Sequence, residues 1–125
     1  MELAPITFTY DGTDYTSRRV TIGDFAAMRE HIRRSRIGAL PPGSGADALA
    51  KTVAAPVLND EMSEYMLSPE GQQFFLFRAV HAMDQRFTPE IAERMVFERD
   101  PFVQRLYVES KIIADPTSSS NGPGA

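Results

Sequence analysis

Three times in its second half the chain places a capping residue directly before a proline: Ser68-Pro69-Glu70, Thr88-Pro89-Glu90 and Asp100-Pro101. Proline has no N–H, and its fixed φ suits the first helical position, where that donor would lack a partner anyway. A Ser, Thr or Asp one residue earlier offers a side-chain oxygen to the N–H groups just beyond it. Glu70 and Glu90 add negative charge where the helix dipole favours it. The second half must therefore be a run of short helices, over 69–85, 89–98 and 101–113. Their apolar sets have helical spacing: Phe74, Phe77, Val80 and Met83; Ile91, Met95 and Val96; Phe102, Leu106, Tyr107 and Ile113.

Upstream, Asp47 to Ala55 is an Ala-rich helix that closes at Pro56, and a further helix starts near Asn59 with Met62, Tyr65 and Met66. Residues 38–46 combine Pro41-Pro42 with three glycines and read as a flexible linker. Before it, Thr21 with Asp24 is a variant of the capping box. It opens a first helix over 21–37 that buries Ile22, Phe25, Met28 and Ile32 and presents Arg29, Arg33, Arg34 and Arg36 on its other face. Residues 6–20 read as a hairpin. Ile6, Phe8 and Tyr10 alternate with threonines, and Asp11-Gly12 supplies the two positive-φ positions of a type I′ turn. A lone hairpin is marginal in water, so its apolar face must lie on helices. The fold class is α+β, mainly α: an N-terminal β-hairpin packed on a small bundle of about five short helices. Residues 1–114 form one globular domain, with 47–114 as its helical part; 115–125, DPTSSSNGPGA, has the composition of a disordered tail.

Composition removes several function classes. The absence of cysteine excludes disulfides, thiolate nucleophiles and cysteine metal sites. A formal charge of −4 argues against a protein built mainly to neutralise phosphates. No apolar stretch approaches the roughly 18–20 residues of a membrane span. Met1 to Pro5 lacks the basic start and apolar block of a signal peptide, so a cytoplasmic location is expected. His31 and His81 stand apart with no second ligand at metal spacing, and neither a Gly-x-Ser-x-Gly elbow nor a phosphate-binding glycine loop occurs. Asp11 with Asp14, and Asp60, Glu61 with Glu64, read as solvated caps. We expect no enzymatic activity, no cofactor and no metal.

What remains is binding. Arg18, Arg19, Arg29, Arg33, Arg34 and Arg36 lie in the first forty residues, where a single basic patch would form if the hairpin's end meets the first helix. Five acids share that stretch and no reader motif accompanies it, so nucleic acid is the less favoured partner, behind an acidic protein. Phe74-Phe75-Leu76-Phe77 is apolar on every side of a helix, which requires either a central position or a partner chain. Phe74 and Phe77 fall on the stripe that includes Val80, leaving Phe75 to point away. A partner surface with Tyr65, Met66 and Phe75 as apolar anchors and Arg29, Arg33 and Arg36 as charged rim has the composition such interfaces favour.

The hairpin Ile6 to Val20, with Arg18-Arg19 before Thr21-Ile22-Gly23-Asp24-Phe25, resembles the opening of tail assembly chaperones of long-tailed bacteriophages. The stretch from Phe74 through Arg78-Ala79-Val80-His81 to Phe87-Thr88-Pro89-Glu90-Ile91 and Val96 resembles the same family before its last helices. The resemblance implies a non-enzymatic protein of the host cytoplasm. It would bind the long, helical tape-measure protein and recruit tail-tube subunits, with self-association where several copies coat one partner. A virion structural protein (connector, stopper or decoration protein) is the alternative, and a small nucleic-acid-binding regulator a third.

Overall fold

Alternating side chains and the Asp11-Gly12 corner give the first element. In a computed structural model that describes residues 4–112, β1 (Ile6–Tyr10) and β2 (Thr13–Ser17) pair antiparallel, with Phe8 opposite Tyr15. Both corner residues have positive φ, Asp11 at 50° and Gly12 at 77°. Six helices follow: α1 (Ile22–Gly38), α2 (Ala46–Ala54), α3 (Asn59–Leu67), α4 (Pro69–His81), α5 (Pro89–Phe97) and α6 (Pro101–Glu109). The molecule is the mainly helical α+β fold that the patterns require, with a helix in each of the six segments expected to hold one. The expected tail at 115–125, and Ile113, lie outside the described residues.

All three capped prolines start helices. The Ser68 hydroxyl accepts from the N–H of Gly71, Thr88 from Ile91 and Asp100 from Phe102. Some boundaries differ from expectation for local reasons. The second strand stops at Ser17 because the Arg18 N–H turns to the Ala79 carbonyl of α4, at 3.1 Å. α4 ends at His81, where the chain enters a turn in which the Asp84 carboxylate accepts from the Arg86 N–H, and Met83 faces solvent. α6 ends at Glu109, two residues before Lys111 adopts a φ of 65°. Residues 39–45, in the expected linker, hold a turn in which the Ser44 N–H reaches the Pro41 carbonyl, with Gly43 at a φ of 83°.

α4 is the central element. Its Leu76, Ala79 and Val80 meet the hairpin face of Ile6, Phe8, Tyr10 and Tyr15, together with α5 and α6. At the centre of that cluster Phe8 stacks on Phe102 with ring centroids 3.8 Å apart. A second cluster joins Phe75 of α4 to Met28 and Ile32 of α1, Met66 of α3 and Tyr107 of α6. Phe75 is therefore core, at 0% exposure, which corrects its placement as a surface anchor. Phe74 and Phe77, expected on the core stripe, are only half-buried at the margins of the two clusters, while Val80 of that stripe is fully buried. Ile22 is likewise 84% exposed: it sits in the first turn of α1, ahead of the part that packs.

Gly71 explains how α3 and α4 approach so closely. A Cβ at this position would fall inside the van der Waals envelope of the Tyr65 carbonyl, so only glycine fits where the two helices turn on Ser68.

Candidate partner-binding surface

The structure disperses the six residues chosen from sequence. Met66 is buried with Phe75, and its carbonyl accepts from the Tyr107 hydroxyl at 2.7 Å, so both are corrected from surface anchors to core. Arg36 donates to the carbonyls of Ala55 (2.9 Å) and Pro56 (3.2 Å) and pairs with Glu61, tying the end of α1 to the α2–α3 connection. It is a strut and not a rim. Arg29 and Arg33 are half-buried on α1, and Tyr65 is half-buried on α3.

Nor do the arginines of the first forty residues make one open basic patch. Arg34 pairs with Glu30 at 3.2 Å, one turn away, and Arg19 pairs with Glu109 at 3.5 Å and donates to its carbonyl. Arg18 donates to both Asp24 carboxylate oxygens, at 2.6 and 2.9 Å, and Arg78 of α4 donates to Oδ1 as well, at 2.7 Å. Asp24 is fully buried and also completes the capping box with the Thr21 N–H at 2.8 Å. Burial alone would push its carboxyl up. The hydrogen bonds from Arg18, Arg78 and Thr21 outweigh that and hold it down at about 2. This group joins the hairpin's exit, the start of α1 and the middle of α4.

What the fold leaves open is a furrow along α4. Its larger part, about 710 Å³, lies where α4 meets α5 and α6, with Gln72, Gln73, Val96 and Val103 among its lining and Leu67 and Phe97 on it. Leu67 is 64% exposed and Phe97 86%. Gln73 also lines an adjoining pocket of about 240 Å³, bounded by His31, Tyr65, Glu70, Phe74 and Phe77. Both therefore border Gln73 of α4. Three acids, Glu70, Glu93 and Asp100, line them against Arg99 alone, with His31 in the smaller.

In the smaller pocket the His31 ring lies 5.3 Å from Phe74 and 5.6 Å from Tyr65, and Tyr65 meets Phe74 edge-on at 6.1 Å. A Glu70 carboxylate oxygen is 3.8 Å from His31 Nε2. The Tyr65 hydroxyl and His31 Nε2 are both buried with no hydrogen-bond partner among the described residues. Burial, and then the Glu70 charge, push the Tyr65 phenol up to about 12.

Of the predicted set, the structure brings only Tyr65 to this surface. Sequence reasoning misses Phe97 and Leu67, although Phe97 is the one large apolar side chain of α5 outside the set Ile91, Met95 and Val96. An aromatic left over on a polar helix face is the signal that would have found it. Among the described residues no three His, Cys, Asp or Glu side chains stand close enough to hold a metal ion, and no helix is long and apolar enough to cross a membrane. Compared with protein-family models, curated proteins and solved structures, the chain has no match.

Proposed function

We propose that this protein is a non-catalytic assembly factor of the tail-chaperone type, which holds an amphipathic helix of a long partner in the furrow along α4. The observation that carries this is the pair of exposed anchors, Phe97 and Leu67, on a furrow with an apolar floor. Large apolar side chains at such exposure on a concave face suit the helix-in-groove mode of recognition. The acidic lining favours a helix whose flanks carry lysine or arginine. The resemblance of residues 6–25 and 74–96 to phage tail assembly chaperones supplies the candidate: the helical tape-measure protein, with tail-tube subunits recruited alongside. Surface matching of this kind needs no reactive group, in keeping with a protein that binds and then leaves.

The test is a tagged pull-down from phage-producing cells, run beside a Phe97→Asp variant and read by mass spectrometry. Recovery of a very long helical protein with tail-tube subunits, lost in the variant, with the bait absent from purified particles, is the expected result. Recovery of portal or capsid proteins, with the bait retained in particles, would replace this proposal with a structural role in the virion. An eluate of nucleic acid alone would overturn both.

A further inference from the structure

We infer that the larger part of the furrow is the contact face of a dimer of this chain, in which Phe97 of each copy sits in the depression of the other, beside its Leu67. The inference concerns the regulation of the proposed partner site and rests on that reading in one respect only: the helical partner would have to displace the second copy.

A two-fold contact needs a patch that is complementary to itself. Here the knob and the hollow lie on one face. Phe97, almost fully exposed, borders a depression of about 710 Å³ whose lining includes Val96, Val103 and Tyr107. Leu67 borders it too, and its carbonyl accepts from Gln72 Nε2 at 3.2 Å. The two anchors are the last residues of α5 and α3. Helical backbone already holds them in place, so little chain entropy is lost when they are covered.

The charges make the same match. Glu93 and Arg99 border this depression and are exposed, and neither forms an ion pair among the described residues. Glu93 lies one turn before Phe97 on α5, and Arg99 lies just past the Glu98 cap of that helix. Two α5 helices set antiparallel about an axis near Val96 bring Glu93 of each copy opposite Arg99 of the other, so one crossing makes two pairs. A partner helix rich in lysine or arginine gains nothing from Arg99, whereas a second copy does.

Arg99 also has an unusual backbone. Its φ is 57°, with its N–H on the Val96 carbonyl at 3.1 Å and the next N–H, of Asp100, on the Met95 carbonyl at 2.9 Å. Glycine is the usual residue in this left-handed closing position, and a side chain there carries a steric cost. A strained, exposed and unpaired arginine beside an apolar hollow fits a role between molecules.

Sedimentation equilibrium of the full chain, from about 1 to about 200 μM, reads the contact, and a shift from one chain to two with a Kd on the order of 10 μM is expected. Phe97→Asp should weaken association at least about tenfold with Tm unchanged. Arg99→Glu and Glu93→Arg each set like charges face to face, and each should weaken it about tenfold. A one-to-one mixture of those two variants restores both pairs and should associate like wild type. A chain that is monomeric throughout, a Phe97→Asp variant that still dimerises, or a mixture no better than its two components would each overturn the inference. If the dimer forms as described while no helical partner is captured by pull-down, the dimer stands and the assembly proposal fails. If the chain stays monomeric while a helical partner is captured through Phe97, the reverse holds.

Discussion

Asp24 shows how one side chain takes on more than its local sequence suggests. Thr21 and Asp24 are three residues apart, and the capping box they form is readable from that spacing. The two arginines that make Asp24 a junction are not, since Arg78 is 54 residues away and meets it only after α4 docks. With its carboxyl held at about 2 in the folded chain, against an ordinary 3.8, the unfolded chain binds the proton first as pH falls. The contribution of Asp24 is therefore complete above about pH 4 and lost as pH drops through about 2, a difference of roughly 2 kcal/mol. Asp24→Asn should cost about 2–3 kcal/mol at pH 7, below the usual figure for a buried pair because both arginines keep some solvent. Urea unfolding of wild type and variant from pH 7 to pH 2 checks both statements: the gap between them should close toward the acid end. A gap constant across that range would mean that Asp24 acts through packing and not through its charge.

At the scale of elements, what was legible and what was not divide along a physical line. Helix starts are local: Ser68, Thr88 and Asp100 each cap within three residues, and their proline partners cannot sit elsewhere in a helix. The hairpin is equally local, set by Asp11-Gly12 and the alternation of Ile6, Phe8 and Tyr10. The facing of α4 is not local, because Phe74, Phe75, Leu76 and Phe77 make every side of the helix apolar and only the neighbours decide which flanks are covered. Two clusters bury Phe75 and Leu76 completely and hold Phe74 and Phe77 only half-buried at their margins. Phe75→Ala should therefore destabilise by about 3–5 kcal/mol, the range for emptying a packed aromatic site, instead of selectively weakening a partner. Gly71→Ala should cost about 2–3 kcal/mol, since its methyl group meets the Tyr65 backbone and the α3–α4 corner must open to admit it. Thermal unfolding by circular dichroism reads both. A Gly71→Ala variant as stable as wild type would show that the corner yields easily, and that α3 is not fixed against α4 by that contact.

For the molecule as a whole, the charges and apolar groups left after folding matter more than those in the sequence. Six arginines within forty residues suggest a basic face, yet Arg18, Arg19, Arg34 and Arg36 each find an acid of the same chain. The surface that remains is instead the acidic, partly apolar furrow along α4, which only the assembled helices define. Its anchors permit a clean separation of binding from stability. Phe97 and Ile22 are similarly exposed, at 86% and 84%, but only Phe97 lines the furrow. Aspartate at either position should leave stability within about 0.5 kcal/mol of wild type, as for surface changes that break no packing. Phe97→Asp should nevertheless abolish capture of the helical partner, because it sets a charge at the centre of an apolar contact. Ile22→Asp should leave capture intact. The two variants, compared for Tm and for partner recovered in the same pull-down, test position on the surface with chemistry held constant. Equal loss in both would mean that exposed apolar residues bind without regard to place, and the furrow would have no special claim. Loss confined to Phe97→Asp would assign the partner's seat to the junction of α4, α5 and α6.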